Sequence, residues 1–138
     1  MAETIKFEDF SKEVIEKFND VVMNWLEEAS GEVESQVIRN SRVDTGQTKG
    51  SYKHKVDESK YEAHIGSPNE NAIWEEFGTG IFAENGNGRK TPWTYKKVSD
   101  GKFYRTKGKK PNKPLRNAMT QKKSEITEIL KRKLRRLK

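Results

Sequence analysis

The stretch WEEFGTGIFAENGNGRKTPW, residues 74–93, is the densest part of the chain in both large apolar residues and glycine. We call residues 78–92 within it the glycine loop. Gly78 ends a short helix predicted for residues 71–77, because glycine readily takes the conformation that follows a last helical turn. The loop therefore divides the chain into two halves, and the remaining elements lie upstream and downstream of it.

Upstream of the glycine loop, apolar residues recur every three or four positions from Phe7 to about Arg39. This spacing predicts a long amphipathic helix, with a kink or a break at Gly31. Alternating residues after that helix predict a β-hairpin with its turn at 57–60. In the predicted register Val56 faces Tyr61, which also sets His54 opposite Ala63 and Tyr52 opposite Ile65 on the same side.

Downstream of the loop, strands at 93–99 and 102–106 flank Asp100-Gly101, which predicts a second hairpin with a type I′ turn. A helix follows from about Leu115 to the end of the chain. The predicted fold class is α+β, with a long N-terminal helix, a small antiparallel sheet of two hairpins and a basic C-terminal helix. By length, residues 1–138 make one domain.

The composition limits how much apolar surface this chain can bury by itself. Hydrophobic residues make up 31% of the chain and charged residues 36%, so we expect a modest core that is completed against a partner. Cysteine is absent, which excludes disulfides and thiolate metal ligands. No apolar run is long enough for a membrane span, and we expect a protein made in a cytoplasm without membrane contact.

Charge is distributed unevenly along the chain. Residues 1–38 contain three basic and ten acidic residues, whereas residues 102–138 contain fifteen basic and two acidic residues. The asymmetry indicates either an anionic partner or acidic-to-basic contacts between copies, although a solvated face explains many such runs. Any DNA contact would be non-specific, because no base-reading module is evident. The residues of this possible DNA-facing or acidic-partner-facing surface are Lys122, Lys123, Lys131, Arg132, Lys133, Arg135, Arg136 and Lys138.

No pattern in the sequence predicts an enzyme, a cofactor or a metal site. Residues 78–83 match the GxGxxA dinucleotide fingerprint, but a helix precedes them where the fingerprint needs a strand. His54 and His64 point to opposite faces of the first hairpin, so we expect a packed aromatic and a surface imidazole. Glu75 and Glu76 diverge by about 100° on a helix, which excludes an acid/base pair. We expect Glu76 to accept hydrogen bonds from the Gly-Thr turn beside it.

The order of motifs resembles the tail-completion, or head–tail joining, family of long-tailed bacteriophages (siphoviruses). The segments that carry the resemblance are VDTGQTKGS at 43–51, AIWEEFGTG at 72–80, GNGRKTPW at 86–93 and KPLRNA at 113–118. Thr48, Asn71, Glu75 and Pro114 depart from the residues usual in the family. The resemblance extends over about residues 7–135.

The resemblance implies a structural virion protein of the phage neck, assembled in the host cytoplasm. It implies a homo-oligomeric ring, six-fold by preference, that joins the head to the tail and leaves a channel for DNA. The implied partners are other copies of the chain, a head-closure or connector protein, a tail terminator or tail-tube protein, and DNA bound without sequence specificity. The alternative from another class is a non-specific nucleic-acid-binding module that uses the basic C-terminal helix.

Residues of the matching segments are interpreted as structural positions, and the glycine loop is interpreted as an assembly loop. We expect Ile81 and Phe82 to contact a neighbouring subunit, whereas Trp74, Phe77 and Trp93 are expected in the domain's own core. The structural positions carried over from the family motifs are Thr45, Gly46, Ser51, Glu76, Gly78, Thr79, Gly80, Pro114 and Leu115.

Overall fold

A computed structural model describes residues 9–43 and 46–137 of the chain. The predicted α+β class is confirmed, since two long helices enclose two short hairpins. In chain order the elements are α1 (Ser11–Asn40), α2 (Gln47–Gly50), β1 (Lys53–Asp57), β2 (Glu62–Gly66), α3 (Glu70–Phe77), a 3₁₀ turn (Gly80–Phe82), β3 (Trp93–Lys96), β4 (Phe103–Thr106) and α4 (Pro114–Arg135).

Helix α1 is continuous for 30 residues, without the break expected at Gly31. At 1.5 Å per residue it is about 45 Å long. Its buried side chains, Ala29, Ser30, Val33 and Val37, all lie in the C-terminal half. Large apolar residues in its first two turns, such as Phe10 and Phe18, are exposed. The predicted start at Phe7 lies outside the described residues.

Helices α1 and α4 pack against each other in antiparallel directions. The indole Nε1 of Trp25 donates to the carbonyl oxygen of Ile126 at 2.7 Å, and Asn40 Nδ2 donates to Gln121 Oε1 at 2.8 Å. The core lies between this helix pair and the first hairpin, and α1 contacts both β1 and β2. Its buried apolar residues are Val33, Val37, Tyr52, Ala72 and Ala118.

The first hairpin has a register two residues away from the predicted one. His54 pairs with Ile65 and Val56 pairs with Ala63. Tyr61 takes a positive φ of 54° in the turn, so it does not pair with Val56. Because a shift of two residues preserves the side-chain alternation, the predicted faces are unchanged even though the predicted partners were wrong.

The second hairpin is a separate two-stranded sheet, so the two hairpins do not form the single sheet that was expected. Its predicted type I′ turn was also wrong. Such a turn needs two residues with positive φ, but only Gly101 has one, at 70°. A longer loop connects the strands, closed by a hydrogen bond from Lys97 N to Lys102 O at 2.8 Å.

None of the helices within residues 9–43 and 46–137 combines the length and apolar character needed to cross a membrane.

Candidate assembly surface

The carboxylate of Glu76 caps the start of α4 from a distant position in the chain. Its oxygens accept hydrogen bonds from Leu115 N at 2.9 Å, Arg116 N at 3.1 Å and Arg116 Nε at 2.9 Å. Pro114, the first helical residue, has no N–H to donate, so these two amides are the first orphan donors of the helix. The N-cap residue Lys113 provides no side-chain cap. Glu76 therefore binds α4, and the expected bonds to the Gly-Thr turn were the wrong assignment.

The neighbouring carboxylate of Glu75 joins two other segments. It accepts from Arg42 Nε at 2.8 Å and Asn112 Nδ2 at 2.8 Å, and it forms an ion pair with Lys109. Burial alone would raise the pKa of Glu75, but hydrogen bonds from Arg42 and Lys109 outweigh it and lower the pKa below its usual value. Glu75 therefore remains a carboxylate that holds α3 to the end of α1 and to the segment before α4.

The first part of the glycine loop is hydrogen-bonded to residues 107–109. Thr79 N donates to Lys109 O at 2.9 Å, Lys109 N donates to Thr79 Oγ1 at 2.9 Å, and Ile81 N donates to Lys107 O at 3.0 Å. Gly78 has φ +78°, and a Cβ there would lie 2.8 Å from the Lys109 carbonyl oxygen. The loop needs glycine at this position for both its backbone conformation and its close approach to residues 107–109.

The aromatic residues around the loop are more exposed than expected. Trp74 is 49% exposed and Phe77 is 39% exposed, so the expectation that these two residues lie in the core was wrong. Trp93 is half-buried, Ile81 is exposed and Phe82 is half-buried. The core is formed instead by α1, α4 and the first hairpin, which leaves this side of α3 open.

An open groove of about 770 Å³ lies beside these residues, between the second hairpin and α2–α3. Apolar side chains contribute to its lining together with basic ones. The apolar lining residues are Val43, Trp74, Trp93, Tyr95 and Val98, and the basic ones are Arg42, Lys49, Lys96, Lys97 and Lys109. The groove is therefore an amphipathic surface with a positive margin.

Four of the eight basic residues proposed as a binding surface on α4 form ion pairs with carboxylates of the same chain. Lys133 Nζ lies 2.8 Å from Glu28 Oε2 on α1, and Arg132 lies 3.6 Å from the same carboxylate. Lys122 pairs with Glu125 at 2.7 Å, and Lys131 with Glu128 at 3.5 Å. Acidic-to-basic contacts thus form inside one chain, and the nucleic-acid module built on α4 is not favoured. Lys123, Arg135 and Arg136 are exposed on this helix, and Lys138 lies outside the described residues.

His54 lies between two glutamates of α1, which the sequence reading missed. Its Nε2 is 2.7 Å from Glu27 Oε1, and its Nδ1 forms an ion pair with Glu34. The residue expected as a packed aromatic is therefore an imidazole that bridges two carboxylates. The hydrogen bonds that its ring nitrogens donate to Glu27 and Glu34 raise the pKa of His54. His64 is exposed beside Glu62. No group of three or more His, Asp or Glu residues suited to a metal ion occurs in the part of the chain that the structure describes.

The remaining motif residues lie at turns and at the start of α4. Gly46 precedes α2 with φ +88°, and Ser51 Oγ donates to Thr48 O at 2.5 Å. Gly80 has φ +60° at the start of the 3₁₀ turn, while Leu115 is half-buried against the core. Thr45 lies outside the described residues.

Sequence reasoning missed the network around Glu75 and Glu76 because its partners are distant in the chain. Leu115 follows Glu76 by 39 residues and Lys109 follows Glu75 by 34. One local signal was available, since Lys113-Pro114 begins a helix without a Ser, Thr, Asp or Asn at the N-cap. The free backbone N–H groups at such a helix start need a hydrogen-bond acceptor from another part of the chain.

The comparison with family models gives one match. A family described as "Bacteriophage HK97-gp10, putative tail-component" matches residues 5–78, which is more than half of the chain and extends from α1 to the end of α3. The comparisons with curated proteins and with solved structures found no match.

Proposed function

The chain belongs to this family of bacteriophage tail components, and on that premise we propose that it is a structural protein of the phage neck. In this proposal, copies form a closed ring, most simply six-fold, between the portal-side connector of the head and the tail tube. The ring holds the joint between head and tail and leaves a channel through which DNA passes. The partners are neighbouring copies, a head-closure or connector protein, and a tail terminator or tail-tube protein.

The observation that carries this proposal is the exposed apolar surface of α3 and the 3₁₀ turn. Ile73 is 62% exposed, Trp74 is 49% exposed and Ile81 is 46% exposed. Contiguous apolar surfaces of this kind on a soluble domain mark contacts with other proteins. A structural subunit that buries apolar surface when it assembles needs such an exposed surface in its free form. A domain that functions alone has no use for it.

The arrangement of the two ends of the molecule also supports a ring. The first turns of α1 expose apolar side chains, and the amphipathic groove opens beside α3. Two different surfaces on one chain produce head-to-tail contacts between copies, which close into a ring when the rotation between neighbours allows it. We propose no catalytic role for Glu75 or Glu76, because the partners described above engage both carboxylates.

Within this ring we propose that the single domain, residues 1–138, uses the glycine loop 78–92 for assembly. The hydrogen bonds to residues 107–109 hold its first turn, and in the 3₁₀ turn Ile81 is exposed and Phe82 is half-buried. These two residues are the proposed contacts to a neighbouring copy or ring. Apolar anchors at the centre of an interface contribute most of its binding energy.

Electron microscopy of a lysate from phage that lacks this reading frame tests the neck role. We expect DNA-filled heads and free tails, separate from each other, and joined virions after complementation with the wild-type gene. Normal joined virions in the absence of the gene would contradict the proposal.

Complementation with the double variant Ile81→Ser/Phe82→Ser tests the interface. We expect a folded protein that no longer joins heads to tails, because two apolar anchors are lost. The matched control is Tyr61→Ser/Met119→Ser, which removes exposed apolar area from the first hairpin and α4 and is expected to complement. Joining by the first variant would exclude Ile81 and Phe82 from the essential contact.

A further inference from the structure

The second hairpin and its flanks carry more net positive charge than α4 does over the same length of chain. Residues 89–110, which we call the basic hairpin segment, contain nine basic residues and one acidic residue, Asp100. Every basic side chain in the segment is exposed except Lys97, which is half-buried. The carboxylate of Asp100 is itself engaged, since it accepts hydrogen bonds from Lys102 N at 2.9 Å and Tyr104 Oη at 2.5 Å.

This positive charge is less compensated than the charge on α4. Lys96, Arg105 and Lys107 form no ion pair with a carboxylate of residues 9–43 or 46–137, although Lys109 of the same segment pairs with Glu75. Five basic residues of α4 form such pairs: Arg116, Lys122, Lys131, Arg132 and Lys133. Lys96 Nζ lies 6.0 Å from the centroid of the Phe103 ring. A contact of that kind orients the ammonium group but does not neutralise it. The hairpin therefore presents net positive charge to its surroundings.

The two faces of the hairpin differ in character. Residues paired across the strands share a face, so Lys96, Phe103, Thr94 and Arg105 lie on one side. Trp93, Tyr95, Tyr104 and Thr106 lie on the other side, and all of these except Tyr104 contribute to the groove. On the side that carries Lys96 and Arg105, only Lys96 reaches the margin of the groove, whereas Thr94, Phe103 and Arg105 are exposed outside it. This side is therefore the outward face of the hairpin. Lys107 follows directly after β4 and is also exposed.

We propose that this outward face of the second hairpin contacts the phosphate backbone of duplex DNA. Lysine and arginine contacts to phosphates produce binding without sequence specificity, through the release of counterions. Protein–protein interfaces, in contrast, are depleted in lysine, and seven of the nine basic residues in the basic hairpin segment are lysines. The inference rests on the proposed neck ring, since it assigns the hairpin, rather than α4, to the channel through which DNA passes.

Duplex binding by the purified full-length chain tests the inference. Fluorescence anisotropy with a labelled duplex of mixed sequence is measured between about 50 and 200 mM salt, where phosphate contacts change affinity steeply. The test variant is Lys96→Gln/Arg105→Gln/Lys107→Gln. The control variant, Lys123→Gln/Arg135→Gln/Arg136→Gln, removes the same charge from exposed positions of α4.

We expect the hairpin variant to bind at least about tenfold more weakly at about 100 mM salt, with the slope of log affinity against log salt reduced by about 2 to 3. The α4 control should retain most of its affinity and its slope. Equal losses in the two variants, or unchanged binding by the hairpin variant, would overturn the inference.

Two further measurements separate this inference from the neck role. The hairpin variant should still join heads to tails in the complementation assay, because protein contacts make the joint. If the hairpin variant binds duplex DNA as well as the wild type but no longer joins heads to tails, the outward face contacts an acidic protein. That result would overturn the DNA contact and would still agree with the neck role. If the hairpin variant loses both duplex binding and joining, the variant Thr94→Lys provides the deciding measurement. It adds a positive charge to the same face and should tighten duplex binding about threefold or more. No tightening would overturn the inference.

Discussion

At the scale of single residues, Glu75 and Glu76 show how adjacent positions on a helix can serve two separate junctions. A buried carboxylate is costly unless hydrogen bonds replace its water. Each of these carboxylates has three donors, all from residues distant in the chain or beyond the glycine loop. Hydrogen bonds to charged groups are worth about 1.5–3 kcal/mol each when burial is complete. The pair therefore fixes the position of α3 relative to α4 and to the end of α1.

His54 is the residue whose protonation couples pH to stability. The carboxylates of Glu27 and Glu34 favour the imidazolium, which raises the pKa of His54 above its ordinary value of 6.5. The stabilising contribution is therefore complete below about pH 6.5, and it is lost as the pH rises through the higher pKa of the folded state. Acidic solution should thus favour the contact between the first hairpin and α1.

We predict that His54→Gln destabilises the protein more in mildly acidic than in alkaline solution. The expected loss in the free energy of unfolding is about 1 kcal/mol at about pH 5.5 and less at about pH 9, because water screens the exposed Glu27. Urea unfolding at the two pH values measures the difference. His64→Gln is the control, since His64 is exposed, and it should show no such pH dependence. An equal loss at both pH values would mean that His54 acts through packing alone.

At the scale of elements, the sequence predicted the helices better than the hairpins. Three-and-four spacing locates α1 and α4, and Gly78 and Pro114 mark the end of α3 and the start of α4. Alternation in a strand identifies the face of each residue but not its partner across the hairpin. The register depends on the turn, and Tyr61 with its positive φ lengthens the first turn in a way that no local rule predicted.

The apolar surface at the candidate site was misjudged for a similar reason. Trp74 and Phe77 were expected in the core because aromatic residues usually are buried. Which face of α3 is covered depends on where α4 packs, and Glu76 fixes that position through Leu115 and Arg116. A contact over that distance in the chain has no signature in local spacing.

Gly31 is a position at which glycine lowers the stability of α1. It lies within the continuous helix, between the glutamates that bind His54. A Cβ at this position would meet only His54 Cε1, at 3.9 Å, an ordinary van der Waals contact. Glycine in a helix interior costs about 0.5–1 kcal/mol relative to alanine.

We predict that Gly31→Ala raises the free energy of unfolding by about 0.5–1 kcal/mol. Thermal unfolding followed by circular dichroism measures the change. Gly78→Ala is the contrasting variant and should destabilise, because its φ is +78° and the added Cβ would approach the Lys109 carbonyl. A loss of stability in Gly31→Ala would show that the His54 contact needs more room than the structure provides.

At the scale of the whole molecule, the charge gradient has two separate consequences. Part of the acidic first helix pairs with the basic last helix, as Glu28 does with Lys133 and Glu32 with Lys122. Ion pairs between partly solvated side chains add little to the free energy of unfolding. Within the basic hairpin segment, Lys96, Arg105 and Lys107 form no ion pair with a described carboxylate, and all three side chains are exposed.

The family match ends at Gly78, but the hydrophobic core also includes residues that follow Gly78 in the chain. Residues 5–78 contain α1, the first hairpin and α3. Ala118 and Ile129 of α4 are buried, and α4 is the element with which α1 makes its most extensive contact. Without α4, the apolar face of α1 and the carboxylate of Glu76 would be left without their partners. The folding unit of this chain should therefore include the C-terminal helix.

We predict that residues 1–78, produced alone, do not unfold cooperatively. The segment loses the α4 contribution to a core that is already small, and a chain of that length buries only about 60% of its unfolded surface even when complete. Urea titration with tryptophan fluorescence from Trp25 and Trp74 makes the measurement, with the full-length chain as reference. Addition of a peptide of residues 107–138 should restore a cooperative transition, since it supplies α4 and the Lys109 contact to Glu75. A cooperative transition of residues 1–78 without the peptide would show two independent units and contradict the single domain.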